Sequence, residues 1–129
     1  MMYHKANLFN DKEIAEKILK EKDPKNIKAL GRKIKNFDQQ EWDKKKFYIV
    51  VNGNYYKFSQ NPKLKSILLD TNDEIIAEAS PLDTIWGIGI DEKSAQNGGK
   101  WQGENLLGKA LVVVSNMIKD EKELENNND

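Results

Sequence analysis

Phe47-Tyr-Ile-Val-Val-Asn-Gly-Asn-Tyr-Tyr-Lys-Phe58 is the stretch whose reading decides the fold class of this chain. Aromatic and β-branched residues flank Asn52-Gly53, a dipeptide suited to a tight hairpin turn, so the local signal is a pair of strands. Just upstream, Asp38 and Glu41 form a helix-capping pattern, with Trp42 following on the first turn. A helix start thus leads directly into residues that read locally as sheet.

Outward from this stretch, helical signals dominate. Asn10, followed by Asp11, Lys12 and Glu13, resembles a capping arrangement, and Ile14, Ala15, Ile18 and Leu19 recur at helical spacing over roughly 11–21. Asp23-Pro24 reads as N-cap and first-turn proline of a second helix carrying Ile27, Leu30 and Ile34. Gly31 interrupts it at a cost of ~1 kcal/mol against alanine, which points to a close contact that needs a bare backbone. Asn61-Pro62 starts another helix, with Leu64, Ile67, Leu68 and Leu69 on its buried side. Glu74 to Ala79 reads as a short strand. Residues 91–103, with Gly98, Gly99 and Gly103, form a loop long enough to be functional. Leu106 to Ile118 is an apolar helix central to the core, and 121–129 is a polar tail expected to fray. The expected organisation is one domain over residues 1–120 plus that tail, with no internal repeat.

Composition narrows the function classes. Lysine plus arginine and aspartate plus glutamate both number 21 in 129 residues, so the formal net charge is zero. A chain that binds nucleic acid over its whole surface carries a basic surplus, and this one has none. Lys25, Lys28, Arg32, Lys33 and Lys35 do fall close together, as a local basic patch or a solvated helix face. The absence of cysteine excludes disulfides and thiolate chemistry, and His4 is the single histidine, which leaves no His cluster for zinc. No metal and no cofactor is expected. No apolar run reaches the roughly 20 residues that span a bilayer, and no signal peptide is recognisable, so a soluble cytoplasmic protein without membrane partners is expected.

Chemistry concentrates in Glu78-Ala-Ser-Pro-Leu-Asp-Thr-Ile-Trp-Gly-Ile-Gly89. A carboxylate, a turn and an indole stand close together, followed by Gly87 and Gly89, which let backbone approach a ligand. Asp83 precedes Trp86 by three residues, a spacing that puts both on one side of a helical turn. It is either a site carboxylate beside a stacking indole or the N-cap of a Thr84-Ile-Trp turn whose tryptophan belongs to the core. Glu78 and Ser80 project to one face of an extended segment, where Glu78 serves a salt bridge or a site. Trp42 is a hydrophobic anchor or a pocket wall. Trp101-Gln-Gly-Glu-Asn-Leu-Leu-Gly-Lys109 is a second loop of similar character, and Asn105 opens the final helix, whose N-terminal N–H groups suit a phosphate or ribose hydroxyls. That stretch lacks the spacing of a phosphate-binding loop, which excludes a nucleotide triphosphatase.

These two loops resemble the signature of the NADAR family of YbiA-like N-glycosidases. Tyr3-His-Lys-Ala-Asn-Leu-Phe9, Ala15-Glu-Lys-Ile-Leu19, Ala29-Leu-Gly-Arg32, Phe37 to Trp42 and Lys57-Phe-Ser-Gln-Asn-Pro62 match in order, so the resemblance covers the chain to about Asp120. It implies an α+β, predominantly helical fold with a small β-sheet. It also implies one long helix from about 39 to 59 in place of the hairpin, and that reading is adopted because tertiary context overrides β-propensity. Gly53 and two valines are the unfavourable residues of that helix. Carried over position by position, the resemblance implies catalytic roles for Asp83, Trp86, Trp42 and Lys5. It places Arg32, Glu78, Ser80, Gly87 and Asn105 at substrate. Lys5 would bind phosphate or attack an opened ribose as an amine.

The implied activity is hydrolysis of an N-glycosidic bond in a ribosylated substrate. That substrate is a ribosylaminopyrimidine phosphate of riboflavin synthesis, or an ADP-ribosyl group on guanine of nucleic acid. Family members open with strands and carry a glutamate of the catalytic set just ahead of the stretch matching Met1-Met2-Tyr3. This chain starts after that glutamate. The expectation is therefore an N-terminally shortened domain with part of its sheet missing, and the alternative function is a catalytically impaired module that binds ADP-ribose or ribose phosphate.

Overall fold

The junction Phe9-Asn10-Asp11 shows how short polar residues cut this chain into helices. Asn10 adopts φ 58°, in the left-handed region that asparagine tolerates. The Asp11 N–H donates to the Ala6 carbonyl at 2.9 Å and closes α1 (Met2–Leu8). Asp11 then caps α2 (Lys12–Lys20), its Oδ1 accepting from the Ile14 N–H at 3.1 Å. The N-cap is therefore one residue later than the Asn10 expected from sequence, because Asn10 is already occupied in ending α1.

This computed structural model describes residues 1–127. They fold as two compact units, divided within α4 between Ile49 and Val50. In the first unit, α3 (Pro24–Gly31) starts at the expected cap, with the Asp23 carboxylate accepting from the Lys25 N–H at 2.9 Å. Gly31 ends this helix rather than interrupting it, and Ile34 is buried in the turn beyond. A Cβ at Gly31 would meet the Met2 sulfur, the far end of a flexible side chain packed against this position. Asp11 reaches across this turn too, its second oxygen accepting from the Lys35 N–H at 2.8 Å. Phe9, Ile14, Ala15, Ile18, Ile34 and Trp42 bury one another in the core of the unit, each large side chain contributing roughly 1.5–3 kcal/mol.

The deciding stretch is helical. α4 (Gln39–Ser59) begins where Asp38 accepts from the N–H groups of Gln40 and Glu41 at 2.9 and 3.3 Å. Val50 and Val51 are both buried. A strand would send these neighbours to opposite faces, whereas a helix lets both sit on one broad side. Gly53 faces open space and is tolerated within the helix.

The second unit contains the rest of α4, α5 (Pro62–Leu69), α6 (Glu92–Gln96) and α7 (Leu106–Asn127). On α5 Leu68 is buried, but Ile67, expected on the inner face, is 56% exposed. α6 is a single turn inside the expected 91–103 loop, capped by Asp91 through the Ser94 N–H at 2.7 Å. Ala110, Val114 and Ile118 recur every four residues on α7 and are buried with Ile88. α7 runs past Ile118 and continues helical through residues 121–127, where a fraying polar tail is expected from sequence. The Tyr55 hydroxyl donates to the Glu121 carboxylate and ties this extension down. Residues 128 and 129 of the expected tail lie outside the described residues.

The expectation of an α+β fold with a small sheet is not met: among the described residues there is no strand, and the fold is all helical. The segment 74–79, read as a strand, runs as irregular backbone with no strand beside it. The side chain of Asn105 takes that place, donating from Nδ2 to the Ile76 carbonyl at 2.8 Å and accepting the Glu78 N–H on Oδ1 at 3.0 Å. The amide thereby satisfies one carbonyl and one N–H of the segment, on either side of Ala77.

Candidate functional site

The sequence-predicted residues fall into two groups, one in each unit. In the second unit, Glu78, Ser80, Asp83, Trp86, Gly87 and Asn105 belong to one hydrogen-bonded loop–helix assembly. The loop folds on itself first. The Glu78 carbonyl accepts from the N–H groups of Ser80 and Ile88 at 3.0 and 2.9 Å, drawing the two ends of the motif together. Asp83 Oδ1 accepts from the Ile85 and Trp86 N–H groups at 3.0 and 2.8 Å. The carboxylate thus fixes the turn that presents Trp86. Asp83 and Trp86 are both half-buried. The capping role read from sequence is therefore real, and it holds one carboxylate oxygen while Oδ2 accepts no hydrogen bond among the described residues.

The same loop caps α7. Carbonyls of Thr84, Gly87, Ile85 and Trp86 accept from the N–H groups of Glu104, Asn105, Leu106 and Leu107, at 2.8 to 3.1 Å. Donors that a helix start offers to a phosphate are here given to the protein's own loop. Asn105 itself is buried, with φ 55°, and both ends of its amide are engaged on Ile76 and Glu78. Gly87 serves the same packing. A Cβ there would stand 2.9 Å from the Asp83 carbonyl and 3.0 Å from that of Glu78, so its bare backbone admits the loop to itself. The Glu78 side chain is exposed, and Ser80 is half-buried beside Gly87.

On the far side of Asn105 lies a groove of about 410 Å³ lined by Asp73, Ile75, Ile76, Trp101, Lys109 and Val112 among others. Trp101 and Lys109 are not among the residues singled out from sequence, although both belong to the second loop quoted there. An exposed indole beside a lysine is the combination that stacks a ring and neutralises an anion.

In the first unit, Lys5 and Trp42 come together. The Lys5 ammonium lies 4.6 Å from the Phe37 ring centre and 5.4 Å from that of Trp42, and it donates to the Gly31 carbonyl at 3.4 Å. The walls around the amine shield it from water, and this desolvation holds its pKa below the ordinary 10.5. Trp42 is 7% exposed and part of the core, so it acts as a wall against Lys5. Phe37, the other wall, opens the matching stretch Phe37 to Trp42 but was not assigned to the site from sequence. Arg32 follows Gly31, is exposed and closes α3. Among the described residues no group of three or more His, Cys, Asp or Glu side chains is placed to hold a metal, and no helix is long and apolar enough to cross a membrane.

The NADAR domain profile matches residues 1–119. The chain belongs to the NADAR family. Among its relatives, the N-glycosidase R617 of Acanthamoeba polyphaga mimivirus is 50% identical over 116 residues, covering 88% of this chain and 68% of that protein. Protein irg-1 of Caenorhabditis elegans is 38% identical over 130 residues, covering 98% of this chain and 61% of its own length. A riboflavin biosynthesis protein of Vibrio vulnificus is 28% identical over 118 residues, covering 92% of this chain and 30% of that longer protein. NADAR membership thus spans both units described here.

Proposed function

We propose that this chain is an N-glycosidase that hydrolyses the bond between ribose and a base or amine in a phosphorylated or ADP-ribosylated substrate. The observation that carries the reading is the Asp83 carboxylate, fixed through one oxygen by the Ile85 and Trp86 N–H groups with the other oxygen unengaged by the described residues. Cleavage of an N-glycosidic bond builds positive charge at the anomeric carbon, in an oxocarbenium-like transition state. A preorganised carboxylate stabilises that charge or orients and deprotonates the attacking water. Trp86 stacks on the departing base.

In this reading Lys5 supplies an amine that desolvation keeps more readily neutral than an exposed lysine. In a ring-opened N-glycoside, C1 is an imine to the departing amine. Lys5 adds there and expels that amine, and water then hydrolyses the lysine imine to free the sugar aldehyde. Trp42 and Phe37 hold Lys5 in place, and Arg32 neutralises phosphate. Glu78, Ser80 and Gly87 shape the loop that carries Asp83, while Asn105 is a positioning residue that acts through the loop. N-glycosidase and riboflavin biosynthesis names among the relatives support the reaction class.

The test is incubation of the chain with a ribosylaminopyrimidine phosphate and, separately, with an oligonucleotide carrying ADP-ribosyl-guanine, with chromatography for released ribose 5-phosphate or ADP-ribose. Release from either supports the proposal. Calorimetric binding of ADP-ribose with no release from either substrate would replace it with the binding-module reading.

A further inference from the structure

The zero net charge of the whole chain conceals a division. Residues 1–49 carry 13 lysine and arginine against 8 aspartate and glutamate, and the remaining residues carry the reverse. The surplus concentrates between Lys22 and Lys35, where six cations accompany a single carboxylate, Asp23, whose side chain is engaged in capping α3.

The helix sorts these charges. Lys25, Lys28 and the C-cap residue Arg32 follow the i, i+3, i+7 spacing of one α3 stripe, and Lys33 lies in the turn just beyond. Ile27 and Leu30 turn the other way, against the core of the first unit. All four cations are exposed, and among the described residues none of them forms an ion pair. Glu21, at the margin, is spent on the N–H groups of Lys22 and Asp23. Beside the stripe a shallow depression of about 240 Å³ is lined by Glu21, Asn26, Ala29, Leu30 and Lys33, with the Glu21 carboxylate at its edge already hydrogen-bonded.

We propose that this face of α3 docks the phosphate backbone of a nucleic-acid strand. From Lys25 to Arg32 the stripe is about 10 Å long, an extended row of positive charge complementary to the regularly spaced charges of a phosphate backbone. A membrane surface fits less well. Amphipathic helices that bind lipid insert large apolar side chains, and none is exposed between Lys22 and Lys35. The inference deepens the reading above by giving a nucleic-acid-linked substrate a docking face, and an unmodified strand tests it apart from turnover.

The test is fluorescence anisotropy of the full chain with an unmodified, labelled single-stranded oligonucleotide across a salt series. With about four phosphate contacts, affinity falls about fiftyfold between 50 and 200 mM salt, and in Lys25→Gln/Lys28→Gln the fall shrinks to about sevenfold. Lys63→Gln/Lys65→Gln on α5 leaves the salt dependence as it was, and circular dichroism checks that each variant keeps its helices. Absence of binding, or an unchanged salt slope in Lys25→Gln/Lys28→Gln, overturns the proposal. So does competition by polyglutamate as effective as that by unlabelled oligonucleotide, which would make the patch a site for acidic protein.

Discussion

Asn105 Oδ1 accepts the backbone N–H of Glu78 at 3.0 Å, across 27 residues of chain, while its Nδ2 donates to the Ile76 carbonyl at 2.8 Å. One side chain thereby connects the approach to the Asp83 loop with the start of α7. Asn105→Ala removes both bonds, leaves the Glu78 N–H without its partner and places alanine at φ 55°. The expected loss is about 2–4 kcal/mol in urea unfolding, combining unmet hydrogen-bonding groups with left-handed strain. Asn105→Gly, which removes the bonds without the strain, loses less.

Asp83 caps a turn and is proposed to act in catalysis, and the two roles separate by substitution. Asp83→Asn keeps an acceptor oxygen for the Ile85 and Trp86 N–H groups but removes the charge. Its melting temperature stays close to that of the parent, while turnover falls about 10²–10⁴-fold. Asp83→Ala loses both. A turnover in Asp83→Asn equal to the parent's would confine Asp83 to its structural role.

For Lys5 the expected signature is in its titration. Burial lowers its pKa in the folded chain below 10.5, so the folded state releases this proton at lower pH than the unfolded state does. Stability contributed through this group therefore rises with pH across the interval between the lowered value and 10.5. NMR titration of the lysine side chain gives a midpoint below 10.5, and Phe37→Ala, which opens one wall to water, moves it upward. A midpoint unmoved by Phe37→Ala would show that this ring does not shield the amine.

Asp11 behaves in the opposite sense. Backbone N–H groups of Lys35 and Ile14 hold its carboxyl below the ordinary 3.8. Its contribution to stability is complete above 3.8 and is lost as pH falls through the lower folded value. Asp11→Ala therefore melts below the parent at pH 7, and the gap narrows as the two are compared at successively lower pH in the acid range.

Helix positions were largely readable where a cap and an apolar period coincided, as at Asp23-Pro24 with Ile27 and Leu30, or where an apolar stretch was long, as from Leu106 to Ile118. They were misread where one residue had two possible jobs, as with Asn10, whose left-handed backbone ends α1 and leaves α2 to Asp11. At Phe47–Phe58 the hairpin signal was local and the helix came only through family resemblance, since burial of adjacent valines is decided by packing. The expected strand at 74–79 failed for a related reason: β-rich composition does not supply a partner, and the partner found was a side-chain amide 27 residues away. The site was legible as a motif more than as geometry. Lys5 against Trp42 was named together, but Phe37 between Gly31 and α4, and Trp101 beside Asn105, carry no spacing rule that marks them.

The carbonyls of residues 84–87 that cap α7 make loop opening and helix fraying one event. A displacement of the Asp83 turn strips acceptors from Glu104, Asn105, Leu106 and Leu107 at once. Amide hydrogen exchange at these four positions therefore serves as a clock for the loop, reporting how often the proposed carboxylate leaves its working position.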